Sequence, residues 1–325
     1  MIITRGYNGA VQYTEVPMSE RSELTLTDGV RLCVEASGPA DAPVTVVLLH
    51  GWCLDRRIWR HQIAAMTGTR TRVISYDARG HGRSGSTRLH SATLRQLGDD
   101  LAEVLDAYAP AGPVVLAGHS LGGMTIMEYA DSHPAGFAER VAGLLFVSTT
   151  AEGATHTCYG LPAPLTPFLR VAEQTGAGVL ARLGNRRPHR PLRPALQPVV
   201  RWLLFGDDYR AADLETTMSA FGRASMRSIG GFRASVGAQH RLETLAALGD
   251  IPAAALVGDR DRLTPPPCAE SIADALPGTE LTVFPGAGHM LMMERADEVT
   301  AALDAVITRA VERPQRRRRG YRKAA

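Results

Sequence analysis

A serine lies at the centre of the pentapeptide Gly118-His119-Ser120-Leu121-Gly122. An apolar run over residues 114–117 precedes it, and a stretch typical of a helix follows it. The glycines of such a G-x-S-x-G pattern let the backbone turn sharply from a strand into a helix, which lifts the serine hydroxyl out of the sheet. We therefore interpret Ser120 as a candidate nucleophile.

A serine hydroxyl is a weak nucleophile at neutral pH, so it needs a base, an acid that orients the base, and donors for the oxyanion. The candidate base is His289, which stands in a glycine-bearing loop just after the apolar run 281–284. The candidate acid is Asp261, just after the run 253–257, with Asp259 as the alternative. These residues each follow a predicted strand.

Short apolar runs predict the strands that must position these residues. Nearly continuous apolar runs are expected of parallel strands that are buried on both faces. They cover residues 44–49, 73–76, 114–117, 141–147, 253–257 and 281–284. Two segments of alternating polarity, 22–27 and 31–37, flank Asp28-Gly29 and predict a hairpin at the start of the sheet.

Helical stretches lie between these strands. Two apolar stripes with helical spacing are formed by Leu94, Leu97, Leu101, Val104 and Leu105, and by Val299, Leu303, Val306 and Val311. Strands that alternate with helices predict an α/β fold with a doubly wound, mostly parallel sheet.

Residues 151–240 interrupt this alternation, since they contain many prolines and arginines and no buried-strand signal. An insertion of this length is too long for a passive loop, so it predicts a helical subdomain that covers the site as a lid. The core would then comprise residues 21–150 and 241–312. An irregular extension is expected at 1–20 and a disordered basic tail at 313–325.

With these motifs in this order, the chain resembles the α/β-hydrolase superfamily over nearly everything from Ser22 to Glu312. The order Ser120, Asp261, His289 is that of the triad in this superfamily. The segment 258–265 resembles its G-x-x-D-x-x-x-P acid loop, which favours Asp261 over Asp259.

Two further segments carry the same resemblance. Leu49-His50-Gly51-Trp52 resembles the His-Gly-x oxyanion loop of the family. The resemblance implies that the backbone N–H groups of Trp52 and Leu121 form the oxyanion hole. The segment 76–84 resembles the loop after the next strand, which is structural in the family.

The resemblance implies acyl transfer without a metal or an organic cofactor. Serine at position 120 argues against haloalkane dehalogenases and epoxide hydrolases of this fold, which use an aspartate there. The leading hypothesis is an esterase- or lipase-like serine hydrolase that acts on a small or medium apolar acyl ester. The alternatives are a carbon-carbon bond or lactone hydrolase of a biosynthetic or degradative pathway, and a non-catalytic ligand receptor.

Charge and composition limit the partners that we expect. The formal net charge is +3, but the last thirteen residues carry seven basic side chains and no acidic one, so the remainder is mildly acidic. We therefore expect no nucleic-acid partner. The resemblance implies a small-molecule substrate, an apolar ester or a related acyl compound. Cys33, Cys53, Cys158 and Cys268 lack metal-ligand spacing and are expected to be free thiols.

The sequence contains no apolar stretch long enough to span a bilayer and no pattern typical of a signal peptide. A cytoplasmic location is the expectation. Nothing in the sequence specifies an oligomeric state.

Overall fold

A computed structural model describes residues 2–5, 11–14, 20–153, 159, 166–187 and 193–312. The strands are β1 (Ile2–Arg5), β2 (Val11–Thr14), β3 (Glu20–Thr25), β4 (Arg31–Ser37), β5 (Val44–Leu49), β6 (Thr71–Tyr76), β7 (Val114–His119), β8 (Val141–Val147), β9 (Ala253–Gly258) and β10 (Thr279–Phe284). Two short 3-10 helices cover Arg56–Trp59 and Leu89–Ser91.

The first helices are α1 (Arg60–Met66), α2 (Leu94–Tyr108), α3 (Leu121–Ser132) and α4 (Pro134–Arg140). Between β8 and β9 lie α5 (Thr166–Arg182), α6 (Arg193–Leu204), α7 (Ala211–Phe221), α8 (Met226–Gly231), α9 (Arg233–Gly237) and α10 (Leu242–Ala247). The chain continues with α11 (Pro266–Ala275), α12 (Leu291–Glu294) and α13 (Ala296–Glu312). No helix among the described residues has the length and apolar character that a bilayer span requires.

The predicted doubly wound, mostly parallel α/β sheet is confirmed. Eight strands lie in the order β10-β9-β8-β7-β5-β6-β4-β3. The pairs of β4 with β3 and with β6 are antiparallel, and the other pairs are parallel. Because parallel strands run in one direction, the loops after β5, β7, β9 and β10 all leave from the carboxyl ends of the strands, on the same side of the sheet.

Alternation along the central strands divides the core between the two faces of the sheet. Val47 and Leu49 of β5 pack with Leu116 of β7 on the face that α2 and α3 cover. Val46 and Leu48 pack with residues of α12 and α13 on the opposite face. Since both faces are covered, β5 and β7 are buried throughout, as their apolar runs predict.

Burial on both faces, predicted for the apolar run 281–284, is wrong for β10. This strand ends the sheet, and Leu281 and Val283 are 38 % and 40 % exposed. A strand at the edge of a sheet has a neighbouring strand on one side only, so its apolar side chains can stay partly exposed. Val311 is likewise exposed, although the other three residues of its predicted stripe are buried in α13.

The predicted irregular extension contains two short strands, because β1 and β2 pair as an antiparallel hairpin. Isoleucine, valine and threonine at these positions favour extended backbone. The described part of the predicted lid, within 151–240, consists of helices and turns without a strand. The predicted basic tail at 313–325 lies outside the described residues, as does Cys158. The described cysteines, Cys33, Cys53 and Cys268, form no disulfide bond with one another.

A buried ion pair fixes the loop after β6 against α2. Arg79 and Asp100 are almost wholly buried, and Arg79 Nε donates to Asp100 Oδ2 at 2.6 Å. The same loop reaches the loop after β5, because the Ala78 N–H donates to His50 Nε2 at 2.9 Å. The ion pair therefore stabilises a loop that supports His50, two residues before Trp52.

We expect Asp100→Asn to lower the free energy of unfolding by about 3 kcal/mol, because it leaves the buried Arg79 guanidinium without its main counter-charge. The matched control is Asp99→Asn, whose half-buried carboxylate pairs with Arg95 and His133 and should cost less than about 1 kcal/mol. Urea unfolding with an unchanged m-value measures both. Equal losses in the two variants would contradict the assignment.

Candidate active site

Ser120 stands at a sharp turn between β7 and α3. Its backbone has φ 52° and ψ −116°, which is a strained conformation for a residue with a side chain. Three hydrogen bonds hold this backbone in place: Ser120 N–H donates to Val147 O at 3.0 Å, and Ser120 O accepts from Met124 N–H at 3.2 Å and from Thr149 Oγ1 at 2.6 Å. The strain is therefore compensated by bonds on both sides of the residue.

The turn also needs the glycine that follows. A Cβ atom on Gly122 would lie 2.4 Å from the carbonyl oxygen of Leu49, which is closer than real Cβ atoms approach. The neighbouring strand β5 therefore packs directly against the start of α3. This close approach places the serine turn beside the loop that begins with His50.

Asp261 and His289 form the polar pair at the centre of the site. His289 Nδ1 donates to Asp261 Oδ2 at 2.8 Å, and both side chains are buried. The second oxygen, Oδ1, accepts from the N–H groups of Leu263 and Thr264, each at 2.9 Å. Thr264 Oγ1 donates to Oδ2 at 2.9 Å. Because Nδ1 of the ring is engaged with Asp261, Nε2 is the nitrogen that can accept a proton from another group.

Two opposing effects act on the Asp261 carboxyl group. Burial raises its pKa, but the charge and hydrogen bond of His289 and the N–H groups of Thr264 and Leu263 together lower the pKa below its ordinary value. The carboxylate is therefore ionised at neutral pH. An ionised acceptor fixes the orientation of the imidazole ring and stabilises a positive charge on it.

The backbone of His289 is held from two directions. His289 N–H donates to Leu204 O at 2.8 Å, at the end of α6. Burial and the adjacent His289 keep the pKa of His119 well below its ordinary value, so His119 is neutral. Its Nε2 lies 2.9 Å from the carbonyl oxygen of His289 and must carry the proton, because a carbonyl only accepts.

His119 also brings the serine turn close to His289. The ring centroids of His119 and His289 are 4.7 Å apart, and His119 immediately precedes Ser120. Among the hydrogen bonds of the described residues, none joins Ser120 to the His289 ring. The structure thus joins two of the three predicted residues directly, and the pairing of Ser120 with His289 stays a prediction.

Trp52 and Leu121, the predicted oxyanion donors, follow the carboxyl ends of two neighbouring strands. Leu49 of β5 is paired with Gly118 of β7, and each donor lies three residues beyond its strand partner. Leu121 is the first residue of α3, where backbone N–H groups have no partner within the helix. The first bond of the helix starts one turn later, from Met124 N–H to Ser120 O.

An apolar cluster, which we call the Leu121 cluster, surrounds the side chains of these two residues. Trp52 packs there with Leu121. Two further members are Phe232, which immediately precedes α9, and Val236, which lies in α9. Its other members are Ala78, Ala92, Leu94, Leu97 and Met124. The indole Nε1 of Trp52 donates to Ser228 O in α8 at 2.8 Å. The predicted lid segment therefore contacts the predicted oxyanion loop.

Two surface cavities lie elsewhere. One of about 390 Å³ lies between α1 and α13, and its lining includes His61, Arg210 and Asp297. The other, of about 700 Å³, lies between α5 and the α8–α9 region. Ser120, Asp261 and His289 are not among the described residues that line either cavity. We therefore assign the substrate to neither cavity.

Sequence reasoning missed three residues that hold the site together. Thr264 bonds to Asp261 and lies 3.3 Å from His289 Nδ1, Thr149 bonds to Ser120 O, and Glu294 bonds to the loop of His289. Thr264 could have been found, because it follows Asp261 by three residues in the acid loop. Thr149 and Glu294 carry no comparable signal, because their contacts form through the tertiary structure.

Comparison with known proteins agrees with this architecture. The sequence profile described as the alpha/beta hydrolase family matches residues 46–302. The protein named "Putative carbamate hydrolase RutD" of Variovorax paradoxus is 29 % identical over 258 residues, which are 78 % of this chain and 88 % of that protein. Epoxide hydrolase B of Mycobacterium tuberculosis is 35 % identical over 154 residues, which are 46 % of this chain and 40 % of that protein.

A solved structure shares the fold over most of its length. The thermophilic esterase from Thermogutta terrifontis is 25 % identical and superimposes with a TM-score of 0.70, over 90 % of this chain and 99 % of that one. The family profile covers well over half of the chain, and the resemblance stated from the motifs is confirmed. The protein belongs to the alpha/beta hydrolase family and is an enzyme of the hydrolase class.

Proposed function

We propose that the protein is a serine hydrolase that cleaves carboxylic esters of small or medium apolar acyl groups through an acyl-enzyme. The proposal rests on the buried hydrogen bond between Asp261 and His289. This pair and the strained turn of Ser120 both lie at the carboxyl ends of the parallel strands. An imidazole oriented in this way by a carboxylate is suited to remove the proton of a neighbouring hydroxyl group.

In the proposed reaction, His289 Nε2 takes the hydroxyl proton of Ser120 while the serine oxygen attacks the ester carbonyl carbon. The N–H groups of Trp52 and Leu121 stabilise the oxyanion, and each such donor contributes about 3 to 4 kcal/mol. The alcohol leaves with the proton from His289. Water then attacks the acyl-enzyme with His289 again as the base, which releases the acid and restores Ser120.

Two observations support the substrate class. The Leu121 cluster places apolar side chains around both predicted oxyanion donors, which favours an apolar acyl group. Serine at position 120 argues against the epoxide chemistry that the name of the mycobacterial relative states, because epoxide hydrolases of this fold use an aspartate there. The cytoplasmic location expected from the sequence stays a prediction.

A fluorophosphonate probe should label the wild-type protein and should not label Ser120→Ala, because the probe reacts with an activated serine oxygen. The matched control is Ser148→Ala: Ser148 also has a positive φ, 46°, after a neighbouring strand, and its variant should keep full labelling. Mass spectrometry of the labelled peptide gives the measurement. A wild-type protein that stays unlabelled would refute the assignment of Ser120 as the nucleophile.

Asp261→Asn should lower kcat by about 10³- to 10⁴-fold, because the amide no longer holds the imidazole in its reactive orientation. The pKa of Asp261 lies below its ordinary value, so this loss should persist over about pH 5 to 9, where the wild-type carboxylate is ionised. Asp259→Asn is the matched control, since its exposed side chain lies outside the pair and its amide oxygen can still accept from Gly286 N–H, which is 2.8 Å from Asp259 Oδ1.

The control variant should keep kcat within about threefold. The measurement is the pH profile of hydrolysis of one p-nitrophenyl ester by both variants. A larger loss in Asp259→Asn than in Asp261→Asn would assign the acid to the other aspartate.

Among p-nitrophenyl esters of increasing chain length, kcat/KM should be highest for short and medium acyl chains and should fall for long ones. The reason is that the Leu121 cluster is apolar but closely packed, with Phe232 fully buried. Ser120→Ala, measured on each ester, gives the background rate. Turnover of lactones or of carbon-carbon bonds together with no turnover of any ester would replace the ester proposal by the alternative hydrolase chemistry.

A further inference from the structure

The chain segment at the end of α6 runs beside the loop that carries His289. We call residues 204–207 the stem and residues 286–290 the base loop. Leu204 O accepts from the N–H groups of His289 and Met290, at 2.8 and 3.1 Å. In the opposite direction, Asp207 N–H donates to Gly286 O at 2.8 Å. The stem and the base loop are thus paired through their backbones at both ends.

One carboxylate joins the two segments in the middle. Glu294, the last residue of α12, accepts from Gly206 N–H of the stem at 2.8 Å. It also accepts from Gly288 N–H of the base loop, at 3.0 and 3.1 Å to its two oxygens. Burial raises the pKa of Glu294, and the N–H groups of Gly288 and Gly206 oppose this effect. The side chain lies between the segments and bonds to both.

The stem and the base loop also touch without side chains between them. A Cβ atom on Gly206 would lie 2.1 Å from Gly286 O and 2.7 Å from Gly288 N. A Cβ atom on Gly288 would lie 2.5 Å from Gly206 N. A side chain at either position would therefore push the two backbones apart. The contact depends on both glycines and on the carboxylate that satisfies their N–H groups.

These contacts bear on the position of the imidazole. The His289 ring is oriented by Asp261, but its backbone is held by the stem and by His119. A shift of about 1 Å in a reacting group can reduce the rate by about 10²-fold. A bond that fixes the base loop therefore affects the rate although Glu294 makes no hydrogen bond with the His289 ring.

We propose that Glu294 is a positioning residue for His289, which couples the end of α6 to the base loop. The inference rests on the proposed function for its effect on the rate, but the coupling itself is a property of the fold. When the Glu294 bonds are lost, the stem separates from the base loop and the imidazole moves away from Ser120. The Leu121 cluster, which the proposed function places beside the acyl group, is left unchanged, because Glu294 is not part of it.

The test compares Glu294→Met, Gly206→Ala, the double variant and a control. One oxygen of Glu294 accepts from both Gly206 N–H and Gly288 N–H, so glutamine could keep both bonds, whereas methionine keeps the length of the side chain and has no oxygen acceptor. The control, Asp304→Asn, removes another carboxyl group whose pKa is raised by burial, on α13 and away from the base loop. The kcat value is normalised to the active sites titrated with the fluorophosphonate, so that unfolded protein does not count.

We expect Glu294→Met to lower normalised kcat by about 10- to 100-fold with KM within about twofold, because only the placement of the base changes. Gly206→Ala should act similarly. The double variant should lose much less than the product of the two single losses, since both break the same contact. Asp304→Asn should match the wild type. Glu294→Asp, which can still bond to one segment, should be intermediate and serves if Glu294→Met does not fold.

Amide hydrogen exchange gives a readout that does not depend on catalysis. Exchange at His289 and Met290, whose N–H groups donate to the stem, should be faster in both single variants and unchanged in Asp304→Asn. Unchanged exchange, or losses of kcat that multiply in the double variant, would overturn the coupling. If the wild type hydrolyses no ester and is not labelled, the proposed function fails, and the exchange measurement still decides whether Glu294 couples the two segments.

Discussion

The hydrogen bond between the buried Asp261 carboxylate and His289 is the constraint around which the site is arranged. Burial of a charged carboxylate is costly unless donors surround it. Here Leu263, Thr264 and the imidazole supply those donors, and the balance leaves the pKa of the group below its ordinary value. The acid loop must therefore keep one conformation, because loss of any of these bonds leaves a buried charge poorly compensated.

The backbone of His289 is also held in place. Its carbonyl oxygen accepts from the neutral His119, and its N–H donates to Leu204 O. His119 belongs to the serine turn and Leu204 to the end of α6, so three separate parts of the chain meet at one histidine. A loop rich in glycine has little stiffness of its own. Its order comes from these contacts, and Glu294 contributes to them from the start of the C-terminal helices.

The sequence predicts those features that repeat or follow one another along the chain. The apolar runs predict β5, β7 and β8 because strands buried on both faces must be apolar. The same rule fails for β10, because position at the edge of a sheet is a property of the topology and not of the strand. Asp261 and His289 are predicted from their loops, and the structure joins them by a hydrogen bond.

The contacts of Thr149 and Glu294 could not be predicted. Each links residues far apart in the sequence, and a threonine or a glutamate in these positions is typical of any loop or helix end. The N-terminal hairpin was missed for a different reason. Its strands are four residues long, and so short a stretch gives too little alternation to be distinguished from irregular chain.

The bond between Trp52 and α8 affects how specificity can change in the proposed mechanism. The Trp52 indole donates to Ser228 O, while the Trp52 N–H is a predicted oxyanion donor. Phe232 and Val236, which pack in the same apolar cluster, follow α8 directly. A substitution that reshapes this cluster to admit another acyl group would therefore move the residue predicted to stabilise the oxyanion. Acyl specificity and transition-state stabilisation are then coupled through one side chain, so changes at Phe232 should alter kcat together with KM.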